Sequence, residues 1–331
     1  MKDKKKKESI DNSQIKNDRK IILNDEQKKK IKRIRKASRA LDYFILILSL
    51  LAMFIGIYAF WDTHKVMEIA DSDYYEVYKP NSEDNLTFND LKKINPDLIA
   101  WIDIYGTNID YPVVQGKDND EYLNKTVLGK FSTAGSIFLD SSNSKDFSDY
   151  QNIVYGHFMA DRKMFGDLEL FDDKKFFESH KYGKLDRLGK KTKGIEFFAL
   201  IKTVGDDQKI LNTAKTIKEN PELIDYIYKN SKYSRKINLS EKENIVILDT
   251  CDFSVTNGRS ILVGRLTDKL EKNIYKEKEQ KENKFAKLIS KFYKLNLLII
   301  LIIIWIILVL IYLIYQNISR KKREESKTNV Q

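Results

Sequence analysis

The sequence predicts a mostly β protein, a closed β-barrel with peripheral helices, flanked by two transmembrane helices. Three observations carry this reading. Short β-prone runs recur from residue 98 onward, separated by turns rich in Gly, Asp, Asn and Ser, which is the spacing of a closed or nearly closed barrel. Two uncharged apolar segments, 43–61 and 297–315, are 19 residues each and match a bilayer core of roughly 30 Å. Both carry aromatic residues near their ends, as interfacial anchors do.

The barrel elements follow in order. Residues 88–94 (FNDLKKI) have helical spacing of apolar positions, and Asn95-Pro96 ends that helix. Runs 101–105, 108–115, 135–139 and 152–157 read as strands, with a polar loop over 140–150. A short helix is expected over 164–171. Two strands, 182–188 and 195–204, are joined by the basic turn 189–194. A helix over 221–230 follows, with Pro221 in its first turn and Leu223, Ile224, Ile227 and Tyr228 on one face. The stretch 244–266 supplies the last two strands: an apolar run that ends at Cys251, and a second that Arg259 opens. The barrel is therefore placed at 98–268, with no internal repeat.

The net charge of +11 invites a nucleic-acid reading, and its distribution removes it. Sixteen Lys and Arg stand against six acids before Leu41, and five against two after Tyr315, so the body between carries about −2. The charge belongs to the tails. Residues 1–40 form a basic cytoplasmic tail and 41–61 an uncleaved anchor, too long for a secretory signal core. Residues 62–97 then lie outside as a stalk and an N-terminal helix. Beyond the barrel, 269–296 is a charged linker in which Phe285, Leu288, Ile289 and Phe292 fall on one helical face, 297–315 is the second span, and 316–331 a basic cytoplasmic tail. Two spans return the chain to its starting side, so the expected topology is a two-pass protein of the cell membrane with its barrel extracellular and both termini cytoplasmic.

Few residues can carry chemistry. Cys251 is the only cysteine, so outside the cell it cannot form an internal disulfide. It reads either as a small buried hydrophobe or as a nucleophile. Arg259 enters the next strand where Cys251 leaves its own, so a guanidinium can face the thiol and stabilise an anion. Of the three histidines, His64 sits at the end of the first span, His180 lies in a charged context and is expected to be solvated, and His157 follows an apolar strand at its end, where rigid scaffolds hold functional groups. No His, Cys and carboxylate set has metal-ligand spacing, and no Gly-rich phosphate loop is present. Neither a metal nor an organic cofactor is expected.

Tyr155-Gly156-His157 at a strand end, Leu248-Asp249-Thr250-Cys251 ending a later strand, and Arg259 starting the next together resemble the sortases, membrane-anchored cysteine transpeptidases of Gram-positive bacteria. The likeness spans about 98–266. WIDIYGTNIDYPVVQ (101–115), GSIFLD (135–140) and GHFMADRKMFGDL (156–168) are similar to class B. Two features depart from the pattern: Ile247 stands where the family's cysteine motif usually begins with Thr, and a second span is commoner among class C sortases. The inhibitory Asp-Pro-aromatic lid of class C has no counterpart between residues 62 and 98.

The resemblance implies a sortase-like barrel in which Cys251 is the nucleophile, His157 the general acid and then base, and Arg259 the anion-stabilising donor. Asp249 and Thr250 are expected to contact substrate by adjacency to Cys251. The implied partners are secreted surface proteins bearing a C-terminal sorting signal, cleaved after Thr, and an amine of a peptidoglycan precursor as acceptor, with the lipid bilayer holding the enzyme beside both. Two alternatives stay open: a pilin-polymerising sortase that uses a pilin lysine, and a silent, membrane-tethered binding barrel in which Cys251 is structural.

Overall fold

The computed structural model describes residues 24–80, 88–205, 207–239, 243–252, 256–275, 302–319 and 321. The chain divides into two compact units, one of residues 58–285 and one of 1–57 with 286–331. The larger unit holds eleven strands: β1 Leu98–Ile104, β2 Asp110–Val114, β3 Ile137–Leu139, β4 Gln151–Tyr155, β5 Phe158–Met159, β6 Lys163–Met164, β7 Tyr182–Arg187, β8 Lys193–Val204, β9 Ser231–Ser234, β10 Ile245–Asp252 and β11 Gly258–Thr267. Its hydrogen-bonded order is β11-β10-β4-β3-β2-β1-β7-β8, and β8 pairs back onto β11, which closes an eight-stranded barrel. Strand β9 is appended to β8, and β5 and β6 form a separate hairpin. The 12-residue β8 bears β7 along its first half and β9 along its second.

The barrel is filled by period-two patterning. In β10 and β11, Val246, Leu248 and Leu262 point inward with Leu200 of β8 into the main core. The alternate residues Ile245, Ile247, Ile261 and Val263 point outward and are equally buried. What covers them is a helical layer: α4 (Gln208–Leu211) and α5 (Leu223–Asn230) bring Ile210, Leu223 and Ile227 onto that face. Both faces of these strands are therefore apolar, which is why 245–248 reads as an unbroken hydrophobic run rather than an alternating one.

Three expectations change on contact with the structure. The helix placed at 164–171 is a 3-10 turn, Gly166–Asp172, followed by a short α-helix, α3 (Lys174–Ser179), that Asp173 caps by accepting from the Phe176 N–H. Part of the segment expected as the stalk packs into the larger unit. Helix α1 runs Asp25–Ile69, then Ser72–Tyr78 forms a 3-10 turn, and Ala70 and Tyr75 are buried in the main core beside α2 (Phe88–Ile94). Lys163 Nζ donates to the Met67 carbonyl at 2.6 Å and to Asp71 at 2.7 Å, and the Tyr111 hydroxyl donates to the Ala70 carbonyl at 2.8 Å. His180 is not solvated: its ring lies between Phe176 at 3.6 Å and Tyr275 at 4.5 Å, and burial pushes the imidazole pKa down.

In the smaller unit, α1 and α6 (Ile302–Ser319) are each long and apolar enough to cross a membrane. Their apolar side chains are exposed. The Trp305 indole N–H donates to Ser49 Oγ at 3.4 Å. The amphipathic face expected at Phe285, Leu288, Ile289 and Phe292, the start of the second span and most of both tails lie outside the described residues.

Two predictions follow from this packing. Tyr111→Phe strands the buried Ala70 carbonyl and the Met164 N–H that the hydroxyl accepts at 3.0 Å, so it lowers unfolding free energy by about 1–3 kcal/mol, read by denaturant titration. Because the folded His180 pKa is lowered, the neutral ring is the stabilising form. Stability is full above the ordinary histidine titration range and is lost as pH falls through the folded value. His180→Phe is expected to flatten the acid limb of the Tm against pH profile.

Candidate active site

The site is built from the register of three neighbouring strands. β10 pairs with β4 in parallel, Asp249 beside Tyr155, and with β11 in antiparallel, Cys251 beside Arg259. The parallel ladder continues past β4, since the Gly156 N–H donates to the Asp249 carbonyl at 3.2 Å. Two residues beyond the Tyr155 pair, His157 falls level with Cys251. Carried on from the end of β4, this register sets His157 in line with the Cys251–Arg259 pair of β10 and β11, with neighbouring strands about 4.8 Å apart. The sheet pairs the thiol with a guanidinium eight positions on, and the strand that leads to His157 runs beside theirs.

Arg259 and His157 are held by different contacts. The Arg259 guanidinium donates to Asp249 Oδ2 at 3.2 Å. The Asp249 side chain is wholly buried, whereas that of Arg259 remains 28% exposed, so the carboxylate anchors a guanidinium at the edge of the solvent. His157 Nε2 lies 2.9 Å from the Leu123 carbonyl. A carbonyl only accepts, so this nitrogen carries the proton. Cys251 is half-buried and has no disulfide partner. Tyr155, on the Asp249 face of the sheet, donates to Asp140 Oδ2 at 3.2 Å, and burial together with the Asp140 and Asp249 carboxylates pushes its phenol pKa up, which keeps it a donor.

The loop after His157 is fixed by backbone and charge. The Phe165 N–H donates to the His157 carbonyl at 3.0 Å, and the β5-β6 hairpin turns with Asp161, Arg162 and Met164 at positive φ. Such conformations cost of order 1 kcal/mol each. They are offset by Asp167, fully buried, which accepts from Arg162 at 2.7 and 2.8 Å and from the Asn108 N–H at 2.7 Å.

A groove of about 560 Å³ opens beside Cys251, between the strand ends and the segment that carries Gly166–Asp172 and α3. Strand alternation separates the two residues expected to contact substrate. Asp249 shares the outward face of Cys251 and Arg259. Thr250 points inward with Leu248 and lines the groove. Sequence reasoning missed Asp140, Tyr155 and the Arg162–Asp167 pair. Asp140 and Asp167 both sit in motifs the sequence displays, GSIFLD and GHFMADRKMFGDL, without a signal of which side chain they meet. Among the described residues, no three His, Cys, Asp or Glu side chains gather as a metal site.

No family model matches the chain. Two curated relatives do. The chain is 34% identical over 191 residues to Sortase B of Listeria monocytogenes, covering 57% of this chain and 77% of that protein. It is 32% identical over 181 residues to Sortase B of Staphylococcus aureus, covering 54% and 74%. Among solved structures it is similar to a Streptococcus pyogenes class B sortase involved in pilus biogenesis, with a TM-score of 0.51, 38% identity, and coverage of 54% of this chain and 97% of that one.

Gly156 is packed without room for a side chain: a Cβ would sit 2.6 Å from the buried Phe165 ring. Gly156→Ala is expected to lower unfolding free energy by about 1–3 kcal/mol through overpacking, measured by denaturant midpoint.

Proposed function

The chain belongs to the class B sortases, and on that premise we propose that it cleaves a C-terminal sorting motif of secreted surface proteins after Thr and transfers the acyl group to an amine of a cell-wall precursor. The observation that supports this most directly is the register that sets His157 in line with the Cys251–Arg259 pair, with Arg259 held by buried Asp249.

In this reading the Cys251 sulfur attacks the Thr carbonyl carbon, and the oxyanion that forms is met by the Arg259 guanidinium, a donor that stays charged through the reaction. His157 protonates the leaving amine as the thioester forms. In the second half, an amine attacks the thioester, His157 takes a proton from it, and the sulfur departs. The thioester keeps enough reactivity for amide formation, so no nucleotide is consumed. Asp249 acts through Arg259 as a positioning residue on the face that takes the substrate carbonyl, and Thr250 lines the groove on the other side of the strand.

The apolar helices serve as anchors: α1 and α6 each cross the membrane, with the basic termini cytoplasmic and the barrel, 98–268, on the outer surface where sorting signals and precursor emerge. A pilin lysine as acceptor is the second reading, favoured by the likeness to the pilus-biogenesis class B sortase.

The test is cleavage of quenched peptides of the N-P-x-T-x and L/S/P-P-x-T-G types by the full chain in detergent micelles. Cys251→Ala is expected to abolish release. Arg259→Lys should lower kcat/KM by about 100-fold, the size of one lost oxyanion donor. Asp249→Asn should weaken turnover less than Arg259→Lys. Release that persists in Cys251→Ala overturns the proposal, and an unreactive thiol in a folded chain moves the reading to a silent binding barrel.

A further inference from the structure

The groove beside Cys251 contains two buried hydroxyls that the scheme above leaves without a task. Thr250, Ser260 and Lys202 form the row next to the catalytic one, paired across β10, β11 and β8, and all three line the groove. Thr250 is 1% exposed and Ser260 2%. Neither hydroxyl has a hydrogen-bond partner among the described residues. An unpartnered buried hydroxyl costs about 1–3 kcal/mol, so two of them side by side, facing one cavity, call for a polar ligand.

The charge around them says which ligand. Among the described residues, four carboxylates line the groove, Asp172 and Asp252 among them, with Lys202 as the lining cation and Lys232 at the rim, 2.7 Å from Asp172. The carboxylates already seat two alkylammonium groups: Lys202 Nζ lies 2.9 Å from Asp252 and 3.8 Å from Asp172, and Lys232 Nζ 2.7 Å from Asp172. The opposite face of the sheet carries Asp249 of β10 and Arg259 of β11, the face suited to the substrate carbonyl. Cys251, at the strand end, borders both.

We propose that this groove is the entry route and docking site of the acceptor, a peptide bearing a primary ammonium, with Asp172 and Asp252 drawing the cation in and Thr250 and Ser260 hydrogen-bonding its peptide groups. The proposal rests on the thioester reading above. The acceptor arrives as R–NH3⁺ and releases one proton to solvent. Its nitrogen lone pair then forms the C–N bond to the thioester carbonyl carbon, the C–Sγ bond breaks, and the electron pair stays on sulfur. The second proton passes through His157 to the thiolate. Donor and acceptor therefore approach Cys251 from the two faces of one strand.

The experiment measures partition of the thioester, as the ratio of amide product to hydrolysed peptide by mass spectrometry, for the full chain in detergent. Three acceptors are compared: triglycine, a peptide with one free lysine side-chain amine, and hydroxylamine, which is uncharged at neutral pH. Asp172→Asn and Asp252→Asn are each expected to lower the ratio for the two cationic acceptors about fivefold and to leave the hydroxylamine ratio unchanged. Thr250→Val and Ser260→Ala should lower the ratio for the peptide acceptors while raising Tm, because each removes an unpartnered buried group. A ratio unchanged in all four variants overturns the route, as does an equal fall with hydroxylamine. In either case release of the leaving peptide continues, whereas absence of release by the unaltered chain overturns the transpeptidase reading and the route with it. Preference for triglycine or for the lysine peptide assigns the ammonium to a wall precursor or to a pilin.

Discussion

Strand β10 is hydrogen-bonded along both edges and buried on both faces, parallel to β4 and antiparallel to β11. A strand so enclosed has one register available, since a slip of one residue would turn Ile245 and Ile247 into the barrel and Val246 and Leu248 out of it. Because that register is fixed by packing far from the thiol, the direction of Cys251 is fixed as well. The same constraint sets Arg259 opposite it and brings the end of β4, with His157, alongside.

Around this frame the charged groups divide the labour. Asp249 gives up solvent entirely to hold Arg259, a burial tolerable only because the carboxylate meets a guanidinium. Asp167 does the same for Arg162 and thereby secures the turn that follows His157. Arg259 and Arg162 are thus each steadied by a carboxylate that is more deeply buried than the guanidinium it holds. Rigid support of this kind keeps reactive groups within the narrow geometry that chemistry demands.

Much of this was legible in sequence because it rests on local pattern. The helix Phe88–Ile94 begins and ends as its spacing and Asn95-Pro96 dictate, and β10 and β11 announce themselves by apolar runs around a polar turn. Cys251, His157 and Arg259 stood out by type and by position at strand ends. What stayed hidden depends on contacts between distant segments. The β5-β6 hairpin has two residues in each strand and owes its shape to Arg162–Asp167 rather than to propensity. His180 looked solvated because its immediate neighbours are charged, yet Tyr275, some 95 positions later, covers its ring. Thr250 and Asp249 are adjacent in sequence, and only the pleat reveals that they serve opposite faces.

Closure of the barrel has one further consequence. With β8 joined to β11, the eight barrel strands present no long open edge to solvent. Strand β9, paired only on its β8 side among the described residues, is four residues long and carries Lys232. A short, charged rim is a poor template for recruiting a stray strand from another chain. Closure of the barrel thus removes the long edge along which a second chain could add a strand, and with it one route to aggregation.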